Sequence, residues 1–186
     1  MRIISGLYKG KKILEPKDKQ TRPLKDLTKE SIFNIIQHSN KFKVDINNST
    51  ILDLFSGVGS FGLECLSRGA NEVIFIENYM GVLPILKKNL ENLKSINNYK
   101  IIEKDILNDK ISIILNKKFD IIFLDPPYKI KDLNDVLNKI QRSMILNKNG
   151  IIILHRHKNE EDKFASNFNI LERKKYGISK IIFLSC

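Results

Sequence analysis

Residues 125–128, Asp-Pro-Pro-Tyr, combine groups that are well suited to orient a flat ligand that carries an amine. Proline fixes its own φ, has no N–H group and favours an extended residue before it, so the motif predicts a stiff loop that starts at Asp125. The Asp125 carboxylate and the Pro126 carbonyl then offer two acceptors, with no competing local donor, to the hydrogens of one exocyclic –NH2 group. Tyr128 supplies a face on which an extruded nucleobase can stack. The alternative interpretation is a rigid turn without a chemical role.

A glycine-rich turn lies within residues 50–62, Thr-Ile-Leu-Asp-Leu-Phe-Ser-Gly-Val-Gly-Ser-Phe-Gly. An apolar run comes first, then Gly57, Gly59 and Gly62 at the spacing G-x-G-x-x-G, then a helical pattern, so the segment predicts strand, turn and helix. Glycines let the backbone approach a ligand, and the helix N-terminus offers N–H groups to it. Glu77 ends the next apolar run, where a carboxylate commonly holds a ribose diol. The pattern fits NAD enzymes and S-adenosylmethionine (AdoMet) enzymes alike.

Asp53 favours AdoMet over a dinucleotide. It lies inside the first predicted strand, shortly before the glycine turn, where its charge would repel a pyrophosphate. AdoMet has no phosphate and carries an ammonium and a sulfonium group, and both favour a nearby anion. The alternative interpretation is that Asp53 only caps the loop.

Four consecutive predicted strands end in an acid or in the glycine turn, at Gly57, Glu77, Asp105 and Asp125. Ligands of an open parallel sheet bind beyond the carboxyl ends of the strands, so these positions are expected to share one edge. Asp105 is placed to accept a hydrogen bond from an adenine amino group, and Ile106 to pack on the adenine face. The predicted cofactor-binding residues are Asp53, Phe55, Gly57, Gly59, Glu77, Asn78, Asp105 and Ile106.

Strands and helices alternate along most of the chain, which predicts an α/β fold with a mostly parallel, doubly wound sheet. Residues 2–14 predict a short hairpin that turns at Gly6 and Gly10, and residues 15–25 a polar loop. The last two strands are joined by a short turn around Gly177 and are expected to pair antiparallel. The predicted strands cover residues 51–54, 73–76, 101–105, 119–124, 150–154, 170–172 and 180–185. The predicted helices cover residues 26–37 with Asp26 as N-cap, 61–70 with Gly69 as C-cap, 80–93, 111–115, 132–145 and 160–164.

The composition is that of a globular protein with a polyanionic partner. The chain has 186 residues, enough for one domain with a full core, and a formal net charge of +11. Residues 1–30 hold nine Lys or Arg against four acids, so positive charge is concentrated there. The alternative is that lysine simply serves solubility. The predicted contacts to a nucleic-acid backbone are Arg2, Lys9, Lys11, Arg22 and Lys25.

Several other classes of protein are disfavoured by the sequence. No apolar stretch approaches the roughly 20 residues of a membrane span, and the N-terminus lacks the apolar core of a signal peptide. Cys65 and Cys186 form no metal or redox motif and are expected to be structural in a reducing cytosol. His155 and His157 are expected at the surface, where the fifth predicted strand ends, and no bound metal is predicted.

The sequence resembles the bacterial 16S rRNA guanine-N2 methyltransferases over nearly its whole length. The motifs that carry the resemblance are Arg2-Ile-Ile-Ser-Gly with Lys9-Gly-Lys11, Thr21-Arg-Pro23, Asp26, Lys29-Glu30 with Phe33-Asn34, the turn from Asp53 to Glu64 with Leu66-Ser-Arg-Gly-Ala70, Asp125-Pro-Pro-Tyr128 and Tyr176-Gly177. The N-terminal motifs separate this family from others with Asp-Pro-Pro-Tyr. Leu24 and Leu27 stand where the family usually has Thr and Arg, and His155 where an acid is common.

The resemblance implies a Rossmann-like AdoMet-dependent methyltransferase that modifies a guanine N2 of 16S rRNA in the small ribosomal subunit. Asp125 and Pro126 would orient the guanine amino group while Tyr128 stacks on the base. Residues 1–48 would form a basic extension for RNA contact, and residues 49–186 the catalytic domain. A cytoplasmic monomer is expected, without a membrane partner.

Three alternatives stay open from the sequence. Asp-Pro-Pro-Tyr suits any exocyclic amine, so an adenine-N6 methyltransferase acting on DNA or RNA is the first. A non-catalytic RNA-binding assembly factor that kept the fold is the second, although its glycine turn and Asp-Pro-Pro-Tyr motif are both intact. An NAD oxidoreductase is the third, and both Asp53 and the lack of a second domain disfavour it.

Overall fold

The structure, a computed structural model, describes residues 1–16, 24–108, 116–127, 130 and 133–186. The strands are β1 Thr50–Leu54, β2 Glu72–Ile76, β3 Tyr99–Ile102, β4 Phe119–Leu124, β5 Leu146–His157, β6 Asn169–Tyr176 and β7 Ser179–Ser185. The helices are α1 Asp26–His38, α2 Ser60–Ser67, α3 Leu83–Glu91 and α4 Asn134–Arg142. The predicted helix at residues 111–115 lies outside the described residues.

One seven-stranded sheet, in the order β3–β2–β1–β4–β5–β7–β6, organises the described chain. The first five strands of this order are parallel, and β7 pairs antiparallel with both β5 and β6. The interior strands are rich in Ile, Leu, Val and Phe because both of their faces are covered, as is usual for parallel sheets. The predicted doubly wound sheet and its antiparallel C-terminal strand are confirmed.

The two faces of the sheet support separate apolar cores. On one face, α1, α2 and α3 pack with the N-terminal hairpin, and the rings of Phe33, Phe61 and Phe123 stack in series with centroids 5.2 and 4.1 Å apart. On the other face, α4 contributes Leu137 and Ile140. Gly62 is required for the first core, because a Cβ there would meet the Phe75 ring at 2.3 Å.

The N-terminal hairpin pairs as predicted and lies against α2. Arg2 and Lys12 form an antiparallel bridge, and Gly6 and Gly10 have φ values of +82° and +84°. A Cβ on Gly6 would collide with the Ser67 carbonyl oxygen at 1.8 Å, so only glycine allows the hairpin to approach the end of α2 so closely.

Glu64 of α2 joins the hairpin, α1 and α2 at one buried point. Its carboxylate accepts hydrogen bonds from the backbone N–H groups of Ile4 (2.7 Å) and Ser5 (2.9 Å) and from Arg68 Nε (2.9 Å). The Lys29 ammonium lies 3.5 Å away, and the side chains of Glu64 and Lys29 are both fully buried. Burial lowers the pKa of Lys29, and the charge of Glu64 opposes that shift.

Several predicted bounds differ from the structure for local reasons. Helix α3 begins at Leu83 rather than at residue 80, because Pro84 fits only the first turn of a helix. Helix α4 ends at Arg142 rather than at residue 145, since Met144 has φ +47°. Asp26 is the first residue of α1 and not its N-cap, which is Lys25.

The predicted helix at residues 160–164 is wrong. These residues are not helical, because their acids are drawn to two buried cations of the sheet. Asp162 lies 3.2 Å from Arg156 Nε and 2.5 Å from Lys180 Nζ, and Glu160 lies 3.3 Å from the Arg156 guanidinium. These ion pairs therefore hold the segment against the adjoining ends of β5 and β7.

The fifth and sixth strands are longer than predicted. Strand β5 covers Leu146–His157 because it pairs on both sides, with β4 and with β7, and its register on β4 shifts after Leu146. Strand β6 extends to Tyr176 beside β7. In contrast, β3 ends at Ile102, so Asp105 follows it by three residues.

We expect Glu64→Gln to lower the free energy of unfolding by about 3–5 kcal/mol, because it leaves the buried Lys29 ammonium without its counter-charge. Glu30→Gln is the matched control, since Glu30 is exposed on α1 beside Lys29, and should change stability by less than about 0.5 kcal/mol. Urea unfolding measures both. The double variant Lys29→Met/Glu64→Gln should recover part of the loss, and a Glu64→Gln protein as stable as the control would contradict this role.

Candidate active site

The carboxyl edge of the sheet carries the predicted chemistry at the point where the strand order reverses. Strands β1 and β4 are neighbours there, with the glycine turn following Leu54 and Asp125 following Leu124. Glu77 follows β2, on the other side of β1. Such a switch point leaves a crevice between loops that run to opposite faces of the sheet, and ligands of doubly wound proteins bind in it.

The glycine turn is held by carboxylates rather than left open to an anion. Glu77 Oε2 accepts the N–H of Gly57 (2.7 Å), and its Oε1 accepts those of Asn78 (2.9 Å) and Tyr79 (2.8 Å). Gly57 and Gly59 have φ values of +55° and +82°, which glycine adopts without strain. Glu77 therefore fixes the turn and at the same time places one edge of its carboxylate at the crevice.

Asp53 lies beneath the start of α2 and is only 1% exposed. Its Oδ2 accepts the N–H of Gly62 at 3.0 Å, which is the capping contact foreseen as the alternative interpretation. Burial raises the pKa of Asp53 well above its ordinary value, the Gly62 hydrogen bond opposes the shift, and the charges of Asp125 and Glu77 add to it. Repulsion of an anion at this crevice therefore comes more from the neighbouring carboxylates, Glu77 and Asp125, than from Asp53 itself.

A shallow pocket opens between the ends of β2 and β3. It brings together five of the predicted cofactor residues, together with Ile76 and Lys104, which the sequence analysis missed. The lining residues are Phe55, Ile76, Glu77, Asn78, Lys104, Asp105 and Ile106. Carboxylates beside apolar side chains suit a ribose and a flat base, and the position of Lys104 next to Asp105 in sequence was the available signal for its presence.

Asp105 shapes the loop that forms one wall of this pocket. Its Oδ1 accepts the N–H of Leu107 at 2.9 Å, and its Oδ2 accepts a hydrogen bond from the Asn108 side chain at 2.8 Å. Ile106 is buried, 2% exposed, and packs into the core on the α4 face. The apolar wall is thus anchored in the core, while the Asp105 carboxylate stays at the edge.

Asp125 has a donor that the sequence analysis did not foresee. Its Oδ1 lies 2.8 Å from Nδ1 of His155, and Nε2 of His155 lies 2.9 Å from the Ser179 hydroxyl oxygen. The expectation concerned donors close in sequence, and His155 lies 30 residues away. The surface position expected for His155 is wrong, because this residue is 5% exposed within β5. No local pattern signals this contact, because it depends on which strands come to flank β5.

The loop after Asp125 is described only in part. Pro126 is buried and Pro127 is exposed, and the Pro127 carbonyl accepts the N–H of Ile130 at 2.9 Å. The Ile130 carbonyl in turn accepts a hydrogen bond from buried Arg156 at 2.9 Å. Arg156 therefore ties this loop to β5, a role that the sequence did not indicate. Tyr128 lies outside the described residues.

The predicted RNA-contacting residues are spread along the N-terminal segment. Arg2, Lys9 and Lys25 are exposed. Lys11 is engaged within the protein, since its ammonium donates to the Asn92 carbonyl and lies 5.5 Å from the centroid of the Tyr8 ring.

The predicted RNA-contacting residues lie at two separate places in the structure. The Gly6–Lys11 end of the hairpin contacts the C-terminal ends of α2 and α3, through Ser67 and Asn92. Those helix ends lie at the amino edge of the sheet, away from Asp125. Arg2 and Lys25 lie next to the start of α1 instead. Arg22 is outside the described residues.

Two kinds of feature are absent from the described part of the chain. No group of three or more His, Cys, Asp and Glu side chains is arranged to hold a metal ion there. Within the same residues, no helix has the length and apolar character needed to cross a membrane.

Comparison with known proteins identifies relatives over the whole chain. The family model described as "Conserved hypothetical protein 95" matches residues 1–185. "Ribosomal RNA small subunit methyltransferase D" of Haemophilus influenzae is 32% identical over 179 residues, covering 96% of this chain and 90% of the relative. "Putative rRNA methyltransferase YlbH" of Bacillus subtilis is 31% identical over 183 residues, covering 97% and 96%.

Solved structures agree with the fold. A putative methyltransferase from Escherichia coli superposes with a TM-score of 0.80 at 26% identity, over 99% of this chain and 96% of that one. A putative methylase from Haemophilus influenzae gives 0.74 at 30% identity, over 98% and 96%. The Rossmann-like methyltransferase fold expected from the sequence is confirmed.

We expect Asp53→Asn to change how stability depends on pH. An aspartate whose pKa is raised on folding stabilises the native state most below its unfolded pKa of about 3.9, and this contribution is lost as pH rises toward the folded pKa. Asp53→Asn keeps an acceptor for Gly62 N–H but does not titrate, so its stability relative to the wild type should increase as pH rises above about 4.

Urea unfolding at a series of pH values measures this difference. A stability difference between Asp53→Asn and the wild type that stays constant across the series would contradict the burial effect.

Proposed function

The chain belongs to the family described as conserved hypothetical protein 95, and from this we propose that it is an AdoMet-dependent methyltransferase that modifies the exocyclic N2 of a guanine in 16S rRNA. Relatives that it matches over most of their length bear the name ribosomal RNA small subunit methyltransferase D, which supports the rRNA of the small subunit as substrate. The choice of guanine N2 is the finer part of the proposal and rests on the Asp-Pro-Pro-Tyr motif and its resemblance.

The cofactor assignment depends mainly on one observation, namely which groups accept hydrogen bonds from the backbone N–H groups of the glycine turn. In a dinucleotide site these groups bind a pyrophosphate. Here Gly57 N–H donates to Glu77 and Gly62 N–H to Asp53, so carboxylates occupy the positions that a phosphate would need. A ligand with cationic ammonium and sulfonium groups suits this edge, and an NAD-type ligand does not.

The residues around the pocket fit AdoMet in kind. We propose that Glu77 and Asn78 face the ribose diol, that Asp105 accepts from the adenine amino group, and that Ile106 and Phe55 pack on the base. Gly57 and Gly59 would lie against the methionine part, with Asp53 holding the turn from below. Glu77 can still accept a hydrogen bond from a ribose hydroxyl. Its two oxygens offer about four acceptor sites, and three of these are occupied by backbone N–H groups.

We propose that Asp125 and Pro126 present a target amine to the cofactor. When bound, AdoMet would supply a methyl group on a positively charged sulfur. That group would pass to the amine nitrogen, with the sulfur as leaving group and the loss of one N–H proton. The Asp125 carboxylate accepts from the amine, which helps to localise the nitrogen lone pair, and can hold the released proton. Tyr128 is proposed to stack on the base, and the rest of the acceleration comes from orientation.

The remaining assignments follow the charge distribution. We propose that residues 1–48 contact the RNA backbone, through Arg2, Lys9, Lys11, Arg22 and Lys25, while residues 49–186 hold the cofactor and catalytic groups. A cytoplasmic monomer that acts on an assembled or assembling small subunit is proposed with it.

Asp125→Ala and Glu77→Ala are expected to fail at different steps. Asp125→Ala removes an acceptor for the target amine but leaves the pocket, so we expect a single-turnover rate at least about 100-fold below wild type, with AdoMet affinity within a few-fold. Glu77→Ala removes a charged acceptor from the pocket, so AdoMet affinity should fall by about 10- to 100-fold. Calorimetry gives the affinities, and methylation of small ribosomal subunits at saturating AdoMet gives the rates.

Glu103→Ala is the control for both measurements, because this exposed carboxylate near the pocket pairs with Lys87 and should affect neither. Mapping the modified nucleotide tests the substrate. If the methyl group is found on an adenine, the adenine-N6 methyltransferase alternative is correct and the guanine-N2 assignment is wrong. RNA binding without methyl transfer would favour a non-catalytic assembly factor. Binding of NAD without binding of AdoMet would reject the proposal altogether.

We expect the double variant Arg2→Ala/Lys25→Ala to weaken RNA binding and to lower the slope of log affinity against log salt by about 1 to 2, because two phosphate contacts are lost. Its AdoMet affinity should not change. Lys118→Ala/Lys148→Ala is the matched control, since it removes the same charge from exposed residues at the amino edge of the sheet. Equal salt slopes for the two double variants would show that the N-terminal segment does not grip RNA.

A further inference from the structure

Asp125, His155 and Ser179 form a hydrogen-bonded series across three neighbouring strands of the sheet. Asp125 follows β4, His155 lies in β5, and Ser179 begins β7. The distances are 2.8 Å from Asp125 Oδ1 to His155 Nδ1 and 2.9 Å from His155 Nε2 to the Ser179 hydroxyl oxygen. The histidine is 5% exposed and the Asp125 side chain 23%, so the series runs from the core to the crevice.

The chemistry of the three groups sets the direction of the hydrogen bonds. A carboxylate only accepts, so His155 Nδ1 carries a proton and donates it to Asp125. In the neutral imidazole, Nε2 is then an acceptor, and the Ser179 hydroxyl, which can donate, completes its bonding. Ser179 is itself placed by the β5–β7 register, in which it lies opposite His157.

The consequence for Asp125 is a fixed carboxylate plane. The terminal torsion angle of an aspartate has a broad distribution. Each unproductive orientation that the carboxylate samples lowers the population of the productive one. The His155 contact holds Oδ1 toward β5, which leaves Oδ2 as the oxygen available to a donor in the crevice. An acceptor fixed in this way needs no reorganisation when an amine arrives.

We propose that His155 is a positioning residue for methyl transfer, which acts through Asp125 by holding its Oδ1 so that Oδ2 meets the target amine. This role rests on the function proposed above. Ser179 holds the imidazole in turn, so the antiparallel hairpin of β6 and β7 takes part in setting the reaction geometry. Neither His155 nor Ser179 needs to touch the cofactor or the nucleotide.

Two substitutions at His155 separate hydrogen bonding from packing. His155→Phe fills a similar volume without a donor, and we expect a single-turnover rate about 10- to 100-fold lower at saturating AdoMet, with AdoMet affinity within about two-fold of wild type. His155→Asn places an amide N–H close to the position of Nδ1 and should bring the rate to within about five-fold of wild type. His157→Phe, two residues further along β5, is the matched control and should retain the wild-type rate.

Each outcome of this experiment decides the matter. A His155→Phe protein as fast as wild type overturns the positioning role alone, and so does a His155→Asn protein no faster than His155→Phe. A wild-type protein that methylates neither naked 16S rRNA nor small subunits rejects the proposed function, and the positioning role with it. If His155→Phe does not fold, NMR of the imidazole nitrogens replaces it: a proton on Nδ1 whose resonance moves in Asp125→Ala supports the role, and its absence overturns it.

Discussion

The buried carboxylate of Glu64 is the contact on which the arrangement of the first half of the chain depends. It takes two backbone N–H groups from the hairpin, faces the Lys29 ammonium of α1 and accepts from Arg68 of its own helix. A charge in the core is stable only when its bonding is completed, so the three elements must come together as a unit. Because α2 also begins at the glycine turn, this contact fixes the helix that follows the turn.

Electrostatics divide the protein into two regions of opposite character. Asp53, Glu77 and Asp125 surround the glycine turn, although the chain as a whole has a formal net charge of +11. Burial favours the neutral form of Asp53, so the negative character at the crevice comes mainly from the carboxylates nearer its mouth. A cation is favoured inside such a crevice while the exterior attracts a polyanion, and this permits a cationic cofactor and RNA to meet at one edge.

The sequence predicts the sheet well where strands are buried on both faces. The bounds of β4 agree with the prediction, because Phe119–Leu124 is apolar at every position except Asp120. The shared strand edge of Glu77 and Asp125 also follows from the order of elements alone. Five predicted cofactor residues meet at one pocket for the same reason.

The predictions that were wrong share one physical cause, which is the burial of charged and polar side chains. Charged and polar residues are usually solvent-facing, yet Lys29, Arg156 and His155 are buried. Each has a partner distant in sequence that completes its bonding, namely Glu64, the Ile130 carbonyl and Asp125. Residues 160–164 were predicted as a helix, and instead their acids pair with Arg156 and Lys180. The partners of His155 could not be foreseen, since they depend on β4 and β7 lying on either side of β5.

The insertion of β7 beside β5 has a consequence for biosynthesis. Strand β7 follows β6 in the chain and yet lies inside the sheet, between β5 and β6. A ribosome therefore releases β5 with its apolar residues Ile152, Ile153 and Leu154 lacking a neighbour on one side until β7 has emerged. An unpaired apolar edge is a template for aggregation. Nascent chains stalled before β7 should consequently be clients of chaperones and proteases, and release of a methylation-competent protein is coupled to completion of that strand.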